Sequence, residues 1–331
     1  MNEADSERIA ASLEKKGYQK TLKMAKADLI VVNMCSVRQT AVDRVYGLTN
    51  KFKSLRAKTI LTGCILKKDR KKLGEGFGQI LDKEDFFDLK PLRQDKLQAF
   101  IPISNGCNNF CSYCVVPKTR GKLICRKHQD ILKETKEAIK NGAKEVWLLG
   151  QNANDYLSPT DKSINFAKLF KKINDLKGAF QIWFMSPHPE NFTNELIEVL
   201  SQSPKFSKYL HLPVQSGDNF ILKKMNRHYT VKQFEDLVGK IRKAIPQVNL
   251  STDVIVGFPG ETKKRFENTV KLFKATKFNM AYVAKYSQRP ETLAFKFPDD
   301  VTWPEKKRRV QVLLKLLYPK KSCPKKNSRQ K

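Results

Sequence analysis

No run of eighteen or more apolar residues occurs in this 331-residue chain, which excludes a long apolar membrane-spanning helix. The opening MNEADSERIA has neither a basic start nor an apolar stretch behind it, so no export signal is expected and a cytoplasmic location is. Acidic residues are scarce: 33 Asp and Glu stand against 64 Lys and Arg, a formal net charge of +31. That excess goes beyond what solubility asks and favours a polyanionic partner, nucleic acid first, with a genome-wide lysine bias as the competing explanation. Disulfides are not expected either, because seven cysteines is an odd number and thiols in a reducing compartment serve metals more often than cross-links. Core formers are plentiful, at 40% hydrophobic and 10% aromatic residues, so the chain is globular and long enough for two domains.

Three of the cysteines stand in the frame Cys107-x3-Cys111-x2-Cys114, inside ISNGCNNFCSYCVVPKTRG. Three thiolates this close can hold three irons of a [4Fe-4S] cluster and leave the fourth iron open to a ligand. A zinc knuckle is the alternative. Structural zinc sites usually close with four ligands in two spaced pairs, however, and the next histidine, His128, comes fourteen residues after Cys114. The spacing favours iron and sulfur.

Periodicity places a helix over 2–16, with Ile9 and Leu13 on one face, and buried strands over 27–33 and 58–63. A further helix begins near Val37. Cys35 follows the first strand and Cys64 the second. Residues just beyond the carboxyl ends of parallel strands share one rim, so these two cysteines can face a common site; quiet burial is the alternative for each. The pattern weakens over 74–98, which reads as a linker or domain edge.

Beyond it, strands are expected over 101–104, 146–149, 181–184, 209–212, 250–257 and 281–287, with amphipathic helices between. One helix carries the stripe Ile131, Leu132, Thr135, Ala138 and Ile139; another carries Phe166, Leu169, Phe170, Ile173 and Leu176. Asn141-Gly142 and Lys177-Gly178 stand where helix C-caps belong. Six strands alternating with helices imply a parallel sheet curled into a partial or full barrel, with its chemistry at the carboxyl ends, where the three-cysteine loop follows the first strand. A last helix over 304–317 has Val310, Leu313, Leu314 and Leu317 on one side and Lys306, Lys307, Arg308 and Arg309 near its start. The basic tail 319–331 is expected to be disordered.

With Tyr113 before its last cysteine, the three-cysteine frame resembles that of the radical S-adenosylmethionine (SAM) enzymes. The strings MNEADSE at Met1, NMCSVR at Asn33, TGC at Thr62, VPKTRG at Val116, LLGQN at Leu148, HLPVQSG at His211, MNRHYT at Met225 and DVIVGFPGE at Asp253 are similar to those of the methylthiotransferases within that group. The nearest branch acts on N6-isopentenyladenosine at position 37 of tRNA. The resemblance implies an α/β chain: an open parallel N-terminal domain over 1–90, then a radical-SAM partial (β/α)6 barrel over 96–318.

It also implies that SAM binds the open iron and is split by one electron to a 5'-deoxyadenosyl radical, which attacks C2 of the adenine. A second [4Fe-4S] cluster, held by three cysteines of the N-terminal domain, would supply sulfur, and Cys35 and Cys64 match two of them. A second SAM would supply the methyl group. Tyr113, Gly257 and Pro259 match contacts to the SAM adenine, and Gly150, Gln151 and Asn152 contacts to its methionine part. Gln215 and Ser216 are candidate rim contacts, Arg120 and Arg227 candidate phosphate contacts, and His211 a packed or hydrogen-bonded residue at a strand end. A one-electron reductant, a sulfur donor and tRNA are the implied partners, with no membrane association, and the chain is expected to be a monomer.

The family's first strand and its Gly-Cys-Gln are expected upstream of the residue numbered Met1, which reads as an internal methionine, and the C-terminal TRAM module is not in the sequence. Two other readings stay open. One is methylthiolation of threonylcarbamoyladenosine in tRNA or of a ribosomal protein aspartate. The other is a non-catalytic RNA-binding remnant that carries zinc or a cluster.

Overall fold

The computed structural model describes residues 1–81 and 89–318. The expectation for the tail 319–331 lies outside the described residues. The described residues divide into two compact units, one of residues 1–207 with 287–296, the other of residues 208–286 with 297–318.

The first unit opens with α1 (Asn2–Lys15), β1 (Leu29–Met34), α2 (Gln39–Lys53), β2 (Lys58–Gly63), α3 (Lys67–Gly74) and β3 (Gln79–Ile80). The three strands pair in the order β1-β2-β3, all parallel, and the register sets Met34 opposite Gly63. Met34, Val42, Val45, Phe52, Leu61, Ile65, Leu73 and Phe77 form the core beneath them, with the Phe52 and Phe77 rings edge to face at 5.5 Å. Parallel pairing requires long crossovers, and the amphipathic helices α2 and α3 supply them.

The same unit continues with β4 (Gln98–Pro102), β5 (Ser104–Asn105), α4 (Val116–Thr119), β6 (Ile124–Cys125), α5 (His128–Lys140), β7 (Glu145–Leu149), α6 (Phe166–Asn174), β8 (Gln181–Phe184) and α7 (Asn194–Ser201). The second unit holds β9 (Tyr209–His211), α8 (Asn219–Lys224), α9 (Val231–Ala244), β10 (Asn249–Val256), α10 (Lys263–Thr276), β11 (Met280–Lys285) and α11 (Trp303–Leu317). All six expected strands after residue 96 are present. They form two parallel sheets, β4-β7-β8 in the first unit and β11-β10-β9 in the second. Residues 205–207 engage β8, donating from the Ser207 amide to Ile182 and accepting from the Ile182 amide at Lys205.

Two local expectations need correction. The first of the six strands begins at Gln98 rather than 101, because Ala99 and Ile101 alternate inward, and it stops at Pro102. Helix α6 ends at Asn174, so Leu176 lies past the helix and the left-handed Gly178 sits in the following loop; the α5 end at Asn141-Gly142 is as expected, with Gly142 at φ +100°. At the start of α11, Lys306 and Arg309 are buried. Lys306 Nζ meets Asp299 at 2.6 Å, and Arg309 pairs with Glu261 at 2.6 Å and Glu305 at 2.8 Å. Buried cations need such partners, so the acids precede and flank the helix.

Candidate active site

The three-cysteine loop is pinched at its base by a two-residue antiparallel ladder, in which Ser104 pairs with Cys125 and Asn105 with Ile124. That ladder is too short to show in a hydrophobic pattern. Gly106, at φ +78°, turns the chain into the loop, and a Cβ there would fall on the Lys122 carbonyl oxygen. Only glycine fits. The Cys107 amide then donates across the loop to Gly121 at 3.2 Å.

Within the loop, the Asn109 amide donates to Cys107 Sγ at 3.4 Å and the Val116 amide to Cys114 Sγ at 3.5 Å. Backbone N–H groups aimed at sulfur stabilise a thiolate and help set the potential of an iron-sulfur group bound to it. Cys107 is buried, while Cys111, Tyr113 and Cys114 are half-buried. Among the described residues no three His, Cys, Asp or Glu side chains gather as the ligands of one ion would. A cubane places each thiolate on a different iron, so its ligands stand further apart than those of a single metal, and the donor set suits it.

At the carboxyl end of β7, Gly150 approaches the Ser104 hydroxyl so closely that a Cβ would lie 2.6 Å from it. Next to it, both polar side-chain atoms of Gln151 and both of Asn152 are buried without a hydrogen-bond partner, and so is Ser104 Oγ. Buried polar groups are almost always satisfied, so five orphaned atoms at one strand end mark a place where a polar ligand belongs. The amino-acid part of SAM, with its carboxylate and ammonium, has matching chemistry.

Cys35 and Cys64 follow directly on the last paired residues of β1 and β2, and the Cys64 amide donates to Met34 O at 2.9 Å. The structure therefore brings them to one edge, as the sequence suggested. The Ser36 hydroxyl donates to the Cys64 carbonyl at 2.5 Å. Arg120, expected to meet phosphate, is instead buried: it donates to Asn105 at 2.9 Å and to Asn2 and Asp5 at 3.0 Å, and the Cys64 side chain is a further partner. A guanidinium inside the fold satisfies its donors there rather than on a ligand.

Sequence reasoning also missed a cluster in which Arg8, Arg93 and Arg126 all donate to the Glu134 carboxylate, at 2.9, 3.0 and 2.8 Å. A cavity of about 580 Å³ beside it is lined by Lys90, Arg126, Lys127, Asp130, Glu134 and Glu137 among others. Ile124 and Cys125 of the β5–β6 ladder also line it, and none of Cys107, Cys111 and Cys114 does.

In the second unit Gly257, at φ +69°, follows β10, and a Cβ there would strike the stem of Lys306; Pro259 is buried in the same turn. The close approach that requires glycine is thus made by a lysine of this unit. The Gly257 amide donates to Glu261 at 2.5 Å. Burial lifts the Glu261 carboxyl to about 7, against the pull of Gly257 and Arg309. Because the folded value lies above the unfolded one, Glu261's contribution to stability is full below about 4.5 and fades as pH rises through about 7. Glu261→Gln is expected to flatten that part of the stability profile, read from urea unfolding at pH 5, 6, 7 and 8. An unchanged slope would refute it.

His211 lies at the end of β9, with Nδ1 2.9 Å from Ser251 and Nε2 3.0 Å from Asp253, a hydrogen-bonded strand-end histidine as expected. Gln215 and Ser216 are buried, Gln215 bridging to Val254 in the ladder. Arg227, the other expected phosphate contact, is buried against Tyr229 and the Pro213 carbonyl, at 2.9 and 3.0 Å.

Comparison with known proteins gives the family. The radical SAM superfamily profile matches residues 101–273, and that of the uncharacterized protein family UPF0004 matches residues 1–81. The tRNA-2-methylthio-N(6)-dimethylallyladenosine synthase of Clostridium botulinum (strain Langeland) is 38% identical, across 96% of this chain and 79% of its own length. The protein of the same name from Thermoanaerobacter sp. (strain X514) is also 38% identical, across 96% and 75%. The chain belongs to the radical SAM methylthiotransferases. Solved structures show the fold of this family at low identity. The radical S-adenosylmethionine methyltransferase TsrM from Kitasatospora setae matches with a TM-score of 0.55 at 13% identity, over 83% of this chain and 64% of that one. The cobalamin-dependent S-adenosylmethionine radical enzyme OxsB matches with a TM-score of 0.53 at 12% identity, over 94% and 49%. For a member of this family, the α/β architecture with parallel sheets is the expected one. Among the described residues no helix is long and apolar enough to cross a membrane.

Proposed function

We propose that this methylthiotransferase modifies tRNA, adding a methylthio group to C2 of N6-isopentenyladenosine at position 37. The single observation that carries this reading is the 38% identity to synthases of that name over 96% of the chain. The strongly basic composition supports an RNA substrate, since phosphate neutralisation by Lys and Arg supplies most of such binding.

Cys107, Cys111 and Cys114 are the residues that would hold the radical-SAM [4Fe-4S] cluster. Bound there, the cluster supplies the electron that splits the sulfonium of SAM. Gln151 and Asn152 bind and orient the methionine part through their orphaned polar atoms, and Gly150 keeps the strand end free of a side chain. Tyr113, Gly257 and Pro259 are the proposed contacts to the adenine. Orientation and exclusion of water are the protein's share of the work. Cys35 and Cys64, adjacent at the ends of β1 and β2, are proposed ligands of a second [4Fe-4S] cluster. The domain reading is 1–90 and 96–318, a cytoplasmic monomer, with a one-electron reductant and a sulfur donor as further partners.

Nucleoside mass spectrometry of tRNA tests the function. Deleting the gene should convert 2-methylthio-N6-isopentenyladenosine to N6-isopentenyladenosine, and re-expression should restore it. Persistence of the methylthio nucleoside in the deletion strain would overturn the assignment, and loss of 2-methylthio-threonylcarbamoyladenosine instead would move it to that substrate.

A further inference from the structure

The segment 287–296 belongs to the first unit, although it follows most of the second in sequence. It is tied there at three places. The Ala294 amide donates to Ser112 O at 2.7 Å, inside the three-cysteine loop. The Glu291 carboxylate accepts from the Lys68 amide at 2.9 Å, in the first turn of α3 just past Cys64. Arg289 donates through one terminal nitrogen to the Gln39 side chain, in the first turn of α2 just past Cys35.

Arg289 is only 4% exposed, yet its Nε and second terminal nitrogen have no hydrogen-bond partner. Such donors are costly to leave unmet. Burial disfavours its charge, against the pull of Asp69 and Asp43, and Cys35 also lies within electrostatic range. Neither acid is hydrogen-bonded to it: Gln39 Nε2 donates to Asp43 at 2.8 Å, and Tyr46 donates to Asp69 at 3.2 Å. A buried, half-satisfied cation beside Cys35, at the rim where the α2 and α3 N-termini begin, calls for an anion. The other cysteine of the pair has its own guanidinium in Arg120, but that one is matched by Asp5.

We propose that Arg289 is the positioning residue of the Cys35–Cys64 site, donating from its two spare nitrogens to the sulfur atoms of the iron-sulfur group held there and offsetting that group's negative charge. This rests on the proposal that Cys35 and Cys64 bind a second cluster. Hydrogen bonds and charge near the sulfurs hold such a group in place and raise its reduction potential.

The test uses the full chain with Cys107, Cys111 and Cys114 all replaced by alanine, reconstituted without oxygen with iron and sulfide, so that only the second site is read. Adding Arg289→Gln should speed iron loss to a chelator by roughly 10–100-fold, as outer-shell changes at metal sites do. It should also move the midpoint potential, read by redox-titrated electron paramagnetic resonance, to more negative values. Arg289→Lys, which keeps the charge, should hold the potential near that of the parent. Equal iron retention and equal potential in Arg289→Gln would overturn the proposal. So would a matching loss in both variants accompanied by a lower melting temperature of the iron-free protein, which would make the residue merely structural. If the parent with Arg289 intact takes up no iron, the second-cluster reading itself fails, and this inference with it.

Discussion

Cys111→Ala is expected to abolish reductive cleavage of SAM and to remove the iron held by the three-cysteine loop, about four atoms per chain for one cubane. The loop gives Cys111 no substitute: Ser112 is buried with its carbonyl accepting from Ala294, and Asn108 accepts from the Leu123 amide at 3.0 Å. Cys111→Ala leaves this loop with two of the three thiolates proposed to hold its cluster. Iron analysis, the visible absorption of the cluster and release of 5'-deoxyadenosine under dithionite measure the loss. Cys125→Ala is the control, because Cys125 lies in the ladder at the loop's base and its burial pushes the thiol up, away from the thiolate form a ligand needs. It should keep the parent's iron content. Parent-like iron and SAM cleavage in Cys111→Ala would remove the basis of the proposed site.

Glu134→Gln is expected to carry the largest cost in stability, ~3–5 kcal/mol, by the rule that removing one partner of a buried ionic group strands the other. Here three guanidiniums converge on one carboxylate, and Arg8, Arg126 and Glu134 are all nearly excluded from water. Glutamine keeps one acceptor but no charge, leaving the three cations to repel one another. Because Arg8 comes from α1, Arg93 from the segment before β4 and Arg126 from just after β6, the change should loosen all three at once. Thermal unfolding followed by circular dichroism should fall by roughly 10 °C. Glu137→Gln, which breaks only the exposed pair with Lys90, should cost less than ~1 kcal/mol. Similar melting temperatures for the two variants would sink the account.

The same cluster shows where the sequence stops being legible. The stripe of α5 was readable because its apolar residues recur within one helix, and Ile131, Thr135 and Ala138 are buried as expected. Glu134 lies on that buried face, three residues after Ile131, yet its partner Arg8 is 126 residues away, a separation that periodicity cannot bridge. The cysteine loop and the cysteines after β1 and β2 were legible for the opposite reason, since their signal is local spacing and strand ends. Gln151 and Asn152 could be placed at a strand end, but only coordinates reveal that their polar atoms have no partner. The basic residues misled most. Arg120 and Arg227, read as candidate phosphate contacts, are turned into the fold, the first onto Asp5 and Asn105 and the second onto Tyr229 and the Pro213 carbonyl.

One consequence of the returning segment 287–296 concerns the order in which the protein is made. The first unit has most of its residues by Ser207, but the contacts to Ser112, Lys68 and Gln39 come from a stretch that the ribosome delivers only after the strands of the second unit. At ordinary elongation rates that delay is on the order of ten seconds. The rim bearing Cys35 and Cys64 is therefore still unbuckled while the nascent chain grows, and its final clasp closes late in synthesis.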